Sequence, residues 1–154
     1  MSDGGEDGAS YVARLRAAVG TAPLWLSSVT AVVLDSAGSR TLLVRRDLTG
    51  LWAPPAAVLG PGAVPARVAA EAVHEDAGAQ AEAEAIVGVQ ATREITYADG
   101  SRASYVNLVM RMRSRDDAHS AHARWFPVDS LPERMGADHR ERVAMAVAPP
   151  ERIV

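Results

Sequence analysis

The stretch that most constrains this chain runs from Leu51 to Ala79, LWAPPAAVLGPGAVPARVAAEAVHEDAGA. Pro54-Pro55 forbids helix at its start, because proline lacks an amide donor and disfavours helical geometry in the residue before it. Trp52–Leu59 is therefore expected as loop and short strand. Gly60-Pro61-Gly62 turns the chain, and Pro65 suits the first position of a helix. Gly78 stands where a C-cap belongs. Between them Ala66, Ala69, Ala70, Val73 and Ala77 form one apolar stripe. On the other side Glu71 and Glu75 are i, i+4 neighbours, with Asp76 beside Glu75. Three carboxylates on one turn repel each other unless they are solvated or neutralised by a cation. Oxygen ligands of this kind suit Mg²⁺, Mn²⁺ or Ca²⁺ rather than zinc. Two readings stand at this point: a solvated acidic face, and a divalent-cation site.

The flanking segments alternate strand and helix signals. Residues 1–9, acidic and Gly-rich, are expected to be disordered. Tyr11, Val12, Leu15, Ala18 and Val19 give the stripe of a short amphipathic helix, with Ser10 able to cap its start and Gly20 its end. Such a helix either lies against a neighbouring subunit, making a homodimer, or covers its own sheet. Val29–Leu34 and Thr41–Arg46 read as strands joined by the turn Asp35–Gly38. Ala83–Thr92 reads as a further strand. Glu94–Tyr97 and Ala103–Met112 read as a hairpin around Asp99-Gly100, and Tyr105–Met112 has one strongly apolar face. Arg113–His122 reads as loop, Ala123–Phe126 as the last strand and Asp129–Leu131 as one turn of helix. Arg134–Ala148 reads as a C-terminal helix ended by Pro149-Pro150. No repeat or linker interrupts the pattern, so the expectation is one mixed α/β domain over 10–148 with a tail at 149–154.

Composition narrows the functional classes. The 154 residues suffice for a real core, and 23% charged residues is ordinary for a soluble domain. A net charge of −3 supplies no field for nucleic acid or an anionic membrane. With no cysteine there is no disulfide framework, thiolate nucleophile or zinc–cysteine site. The N-terminus is unlike a signal peptide, and no apolar run nears the roughly 18 residues that span a bilayer. A cytoplasmic location is the default expectation.

The order of a strand, LVRR, LW-x-x-P, a helix, E-D-x-G and a later WFP-x-x-x-LP resembles the Nudix hydrolase superfamily over roughly residues 10–145. Tyr11-Val12, Leu15-Arg16, Val19-Gly20 and Tyr105–Val109 are similar to actinobacterial-type members. The resemblance implies the Nudix fold, a mixed β-sheet sandwiched between α-helices, with the Leu51–Ala79 helix packed on the sheet. It also implies magnesium and pyrophosphate chemistry at that helix.

Laid on the family box, G-x5-E-x7-R-E-U-x-E-E-x-G-U with U a bulky aliphatic residue, the chain aligns without a gap from Gly78. The first glycine falls on Ala57, preceded by Ala56, and the first glutamate on Ala63. The arginine becomes Glu71, and the glutamate beside it becomes Ala72. Val73, Glu75 and Gly78 match, Asp76 is a shorter acid, and Ala79 is a weak aliphatic match. In the family, the glutamate at the Ala72 position is a metal ligand and, in many members, the base for water attack. Losing a general base alone costs about 10²–10⁴ in rate. Mg²⁺ demands near-ideal octahedral geometry, so losing a ligand weakens it further. The resemblance thus implies a degenerate box, with Mg²⁺ or Mn²⁺ binding weak or absent unless Glu71, Glu75 and Asp76 rebuild a displaced site.

Other residues are candidates for a small-molecule pocket. Arg45 and Arg46 end a strand leading to the site, and either can reach a phosphate or simply be solvated. Trp52 can stack on a base or pack in the core. Tyr97, Tyr105 and Asn107 alternate on the hairpin, and Tyr105 and Asn107 share a strand face. His119 and His122 are two ligands only, too few for a transition-metal site.

Three functions remain open. One is a pseudoenzyme with a Nudix fold that binds a phosphorylated or nucleotide-like small molecule, or catalyses a reaction outside the family's usual hydrolysis. The second is a weak or metal-shifted hydrolase of nucleoside diphosphate-linked substrates using Glu71, Glu75 and Asp76. The third is a dimeric interaction or scaffold module. Fold alone does not decide among them.

Overall fold

A computed structural model of the chain describes residues 5–117 and 119–148. Of the start expected as disordered, 1–9, residues 1–4 lie outside the described residues, as does the tail at 149–154; residues 5–9 are described, with Gly8 and Ala9 already in the first helix. Among the described residues, three helices and eight strands follow in the order α1 (Gly8–Val19), β1 (Leu24–Leu34), β2 (Arg40–Arg45), β3 (Trp52–Ala53), β4 (Ala56–Leu59), α2 (Pro65–Ala77), β5 (Glu82–Ala91), β6 (Ile95–Thr96), β7 (Arg102–Arg113), β8 (Ala123–Pro127) and α3 (Ala137–Val147).

Strand β1 is the spine of a mixed sheet. It runs parallel to β7 from Leu24↔Ala103 to Leu34↔Arg113, and antiparallel to β2 and β4. β5 closes one edge against β7, while β3 and β8 extend the other side through β2. The pleat sends alternate side chains to opposite faces. Val29, Ala31 and Val33 point to one face with Met110 and Met112, where α2 lays down Ala69, Val73 and Ala77. Val32 and Leu34 point to the other face with Val109, where α3 contributes Val143 and Ala146. Each buried Val or Leu in these two cores stabilises the fold by about 1.5–3 kcal/mol. The sheet therefore lies between helices, as the resemblance implied.

Helix α2 forms where the prolines and glycines require. Pro65 opens it, and Gly78 caps it in the left-handed region at φ 67°, its amide donating to the His74 carbonyl at 3.0 Å. Other boundaries moved. α1 begins at Gly8 with Asp7, not Ser10, as its cap; the Ser10 amide donates to Asp7 Oδ2 at 3.1 Å. α1 touches its own sheet at its start, where Gly8 lies against the Val58 carbonyl. β1 starts five residues before Val29, because pairing with β7 stabilises its polar segment Ser27-Ser28. No helix forms at Asp129–Leu131: the Ser130 amide closes a turn onto the Pro127 carbonyl. α3 starts at Ala137 rather than Arg134, since the Trp52 amide donates to the Arg134 carbonyl at 2.7 Å and Met135 bridges to Trp52. That bridge holds the chain extended up to Gly136. Among the described residues, no helix is long and apolar enough to cross a membrane.

Candidate functional site

Ala56, Ala57 and Val58 of β4 form a wall shared by two cavities. On the α2 side is a cleft of about 390 Å³, lined by Glu71, Ala72, Glu75 and Asp76 of α2 and by the N-terminal arm from Gly5 to Ala9. On the α3 side is a cavity of about 720 Å³, floored by Ser28, Thr30, Tyr105 and Asn107 and roofed by His139 and Arg142.

The α2 cleft brings the three expected carboxylates to one wall and adds Glu6 and Asp7 from the opposite side. It does not gather them. Among the described residues, no group of three or more His, Cys, Asp or Glu side chains is arranged to hold a metal ion. Glu6 is taken by Arg14, and Asp7 by the α1 N-terminus. Asp76 faces Arg46 at 3.9 Å. Partial burial raises the Asp76 carboxyl above its usual range, the Arg46 charge opposing and Glu75 adding to the rise. Ala72 is buried on the cleft side of α2 and offers a methyl group. As a donor set for Mg²⁺ or Mn²⁺, which need several oxygens converging on one point, these residues do not fit. His119 and His122 do not converge either: His119 faces the Asp117 carbonyl at 2.8 Å, and His122 lies 4.0 Å from Asp47.

The arm is seated by close glycine contacts. A Cβ on Gly60 would fall 1.9 Å from the Glu6 carbonyl oxygen, and one on Gly8 would fall 2.1 Å from the Val58 oxygen. Only glycine allows backbones to approach so closely. The Glu6 amide donates to the Pro61 carbonyl at 3.1 Å, fixing the arm on the turn before α2.

The α3 cavity is chemically different. Gln90, Asn107 and Ser28 stand in register across β5, β7 and β1. Asn107 is buried, and its Oδ1 accepts from Ser28 Oγ at 2.9 Å and Thr30 Oγ1 at 3.1 Å. Its Nδ2 is buried with no partner among the described residues. A buried donor left unpaired costs about 1–3 kcal/mol, so a group that supplies an acceptor is favoured there. Above it, Arg142 is 8% exposed, donates from Nε to Gln90 Oε1 at 3.0 Å, and has Nη1 3.2 Å from His139 Nδ1. Burial pushes the His139 imidazole below its usual pKa, Asp138 opposing and the Arg142 and Arg46 charges reinforcing. The neutral ring is the form that accepts from Arg142.

The expected site residues thus divide. Glu71, Glu75 and Asp76 line the α2 cleft, Tyr105 and Asn107 line the α3 cavity, and Arg46 stands next to Asp76. Tyr97 is exposed at the hairpin, where its hydroxyl bonds that of Tyr105. Trp52 packs edge-on against Phe126, centroids 4.9 Å apart, on the α3-side core. Sequence reasoning missed Gln90, His139 and Arg142. The one available signal was His139 and Arg142 three residues apart, which puts both on one helix face.

No protein-family model matches the sequence, and no curated protein is significantly similar. Solved structures are similar. A UDP-X diphosphatase superposes with a TM-score of 0.60 at 20% identity, over 90% of this chain and 70% of its own. An ADP-ribose pyrophosphatase from Streptococcus suis gives 0.56 at 18% identity, over 79% and 89%. A Nudix-family hydrolase from Clostridium perfringens gives 0.59 at 10% identity, over 78% and 92%. The chain has the fold of the Nudix hydrolases.

Proposed function

We propose that this Nudix-fold protein binds a phosphorylated or nucleotide-like small molecule in the α3-side cavity, and that its Mg²⁺-dependent pyrophosphohydrolase activity is lost or very weak. The observation that carries the reading is the buried, unpartnered amide nitrogen of Asn107 in a 720 Å³ cavity. Ligand sites are concavities of this size with a few convergent polar groups. Nucleotide-linked compounds are named as substrates of two structural neighbours, a UDP-X diphosphatase and an ADP-ribose pyrophosphatase, which supports the ligand class.

Loss of hydrolysis is supported by the side chains facing the α2 cleft. A bound magnesium ion would supply charge to a pyrophosphate and activate water. Ala72 neither ligates nor takes a proton, and Asp76 stands opposite Arg46. Glu71 and Glu75 then remain, too few oxygens to anchor an octahedral ion. The test is calorimetric titration with Mg²⁺ and Mn²⁺, followed by phosphate release from ADP-ribose and a nucleotide panel. The reading expects no turnover and no metal affinity dependent on Glu75. Turnover abolished by Glu75→Ala would overturn it.

A second reading, a weak or metal-shifted hydrolase using Glu71, Glu75 and Asp76, is favoured by one fact: all three acids line the same cleft. The same titration decides between the two.

A further inference from the structure

We infer that the α3-side cavity holds the oxyanion of its ligand directly on Arg142, without a metal, while the Asn107 amide anchors a second polar group. This rests on the reading of that cavity as the ligand site. It sends the ligand's negative end toward α3 and away from the acids of α2.

Arg142 is a buried cation. Its side chain is nine-tenths buried, yet its hydrogen-bond partners, Gln90 Oε1 and His139 Nδ1, are both neutral. The nearest carboxylate, Asp138, is 3.8 Å away with a side chain 61% exposed, so water screens much of that attraction. Buried charges are normally paired and fully hydrogen-bonded. Nη2 makes no hydrogen bond among the described residues, which leaves a charged donor for a phosphate or carboxylate oxygen. Glu94 and Glu141 also border the cavity, but both are exposed at its rim, and Glu94 pairs outward with Arg102 at 3.6 Å.

The α2 cleft has the opposite character. Glu6, Asp7, Glu71, Glu75 and Asp76 line it with Arg67, and even with Arg14 on Glu6 and Arg46 facing Asp76 the acids outnumber the cations. Without a bound metal that excess of acids disfavours an anion, whereas the α3-side cavity offers it Arg142. Asn107 lies on the same floor, with an unpartnered donor ready for a carbonyl, ring nitrogen or hydroxyl.

The test uses the full chain in EDTA and calorimetric titration with the four ribonucleosides, their 5′-monophosphates and the matching 5′-carboxylates. At least one oxyanion-bearing compound is expected to bind tenfold or more tightly than its nucleoside. Arg142→Gln should abolish that difference, whereas Glu75→Gln should leave it intact. Because Arg142 is buried, Arg142→Lys serves as a charge-retaining control, and the Arg142 Nε–H resonance of the unmodified protein gives an independent readout. That resonance should shift with the oxyanion compound and not with its nucleoside. Binding that ignores the oxyanion, survives Arg142→Gln undiminished, or appears only with Mg²⁺ overturns this inference alone. No binding by any compound overturns it together with the ligand-site reading.

Discussion

Arg142 Nη1 lies 3.2 Å from His139 Nδ1, so the two side chains form one unit only while that ring nitrogen is unprotonated. Protonation would set two cations against each other in a half-buried place. Burial holds the folded-state pKa of His139 below the ordinary 6.5. The unfolded chain then takes up the proton first, so the stability this residue contributes is complete above 6.5 and is lost as pH falls through the folded pKa. Thermal melts from pH 7.5 down to 5.5 should show Tm falling about 2–4 °C more in the native protein than in His139→Asn. Parallel curves for the two proteins would contradict this.

Asn107 organises the cavity floor through one oxygen. Ser28 and Thr30 both donate to its Oδ1, across the β1–β7 pairing. Asn107→Leu should leave two hydroxyls without an acceptor and cost about 1–3 kcal/mol in urea denaturation. Adding Ser28→Ala and Thr30→Val should recover part of that loss, since groups in one network do not contribute additively. Full additivity of the three substitutions would show that the network does not act as a unit.

Much of this fold is legible in the sequence because its signals are local. Pro65 and Gly78 mark both ends of α2, and alternation along Tyr105–Met112 marks the two faces of β7. What escaped depends on contacts distant in sequence. The polar start of β1 becomes strand only beside β7, and α3 is shortened because Arg134 and Met135 are held by Trp52, more than 80 residues earlier. The cavity chemistry escaped for the same reason: Gln90, His139 and Arg142 look like ordinary polar positions until three elements bring them together. The α2 acids were legible as a cluster, but spacing along a helix does not make side chains converge.

Gly60 and Gly100 offer a clean contrast in what a methyl group costs. At Gly100 a Cβ meets nothing within 4 Å, so Gly100→Ala pays only for its φ of 83°, about 1 kcal/mol. At Gly60 the same atom would collide with the Glu6 carbonyl. Gly60→Ala should displace the N-terminal arm and expose the α2 cleft. Hydrogen exchange should show lost protection at Glu6 and in the first turn of α1, with β7 unaffected. Retained protection there would mean that the arm is not held by this contact.

Trp52 packs with Phe126, and the Arg124 guanidinium lies 5.6 Å from its ring. Trp52→Ala should therefore cost about 3 kcal/mol or more, as large-to-small core changes do. It should leave affinity for any α3-cavity ligand within twofold once folding is complete. A large loss of affinity with little loss of stability would instead assign Trp52 to ligand stacking.

Glu84 fastens the edge strand β5, receiving Arg113 Nε at 2.5 Å and Arg111 Nε at 3.1 Å. β5 needs such a fastening because its ladder to β7 slips at Ala83/Ala85 and again at Ile86/Gly88, each irregularity disrupting regular pairing. The hydrogen bond from Arg113 holds the Glu84 carboxyl below its usual pKa, partial burial opposing and Arg111 adding to the effect. A depressed folded pKa means that the stabilisation is present above the unfolded value of 4.5 and disappears as pH falls through the folded value. Glu84→Gln should thus cost about 1 kcal/mol at pH 7 and progressively less below pH 4, read from urea midpoints. If the gap between the two proteins stays constant with pH, the charge of Glu84 is not what fastens β5.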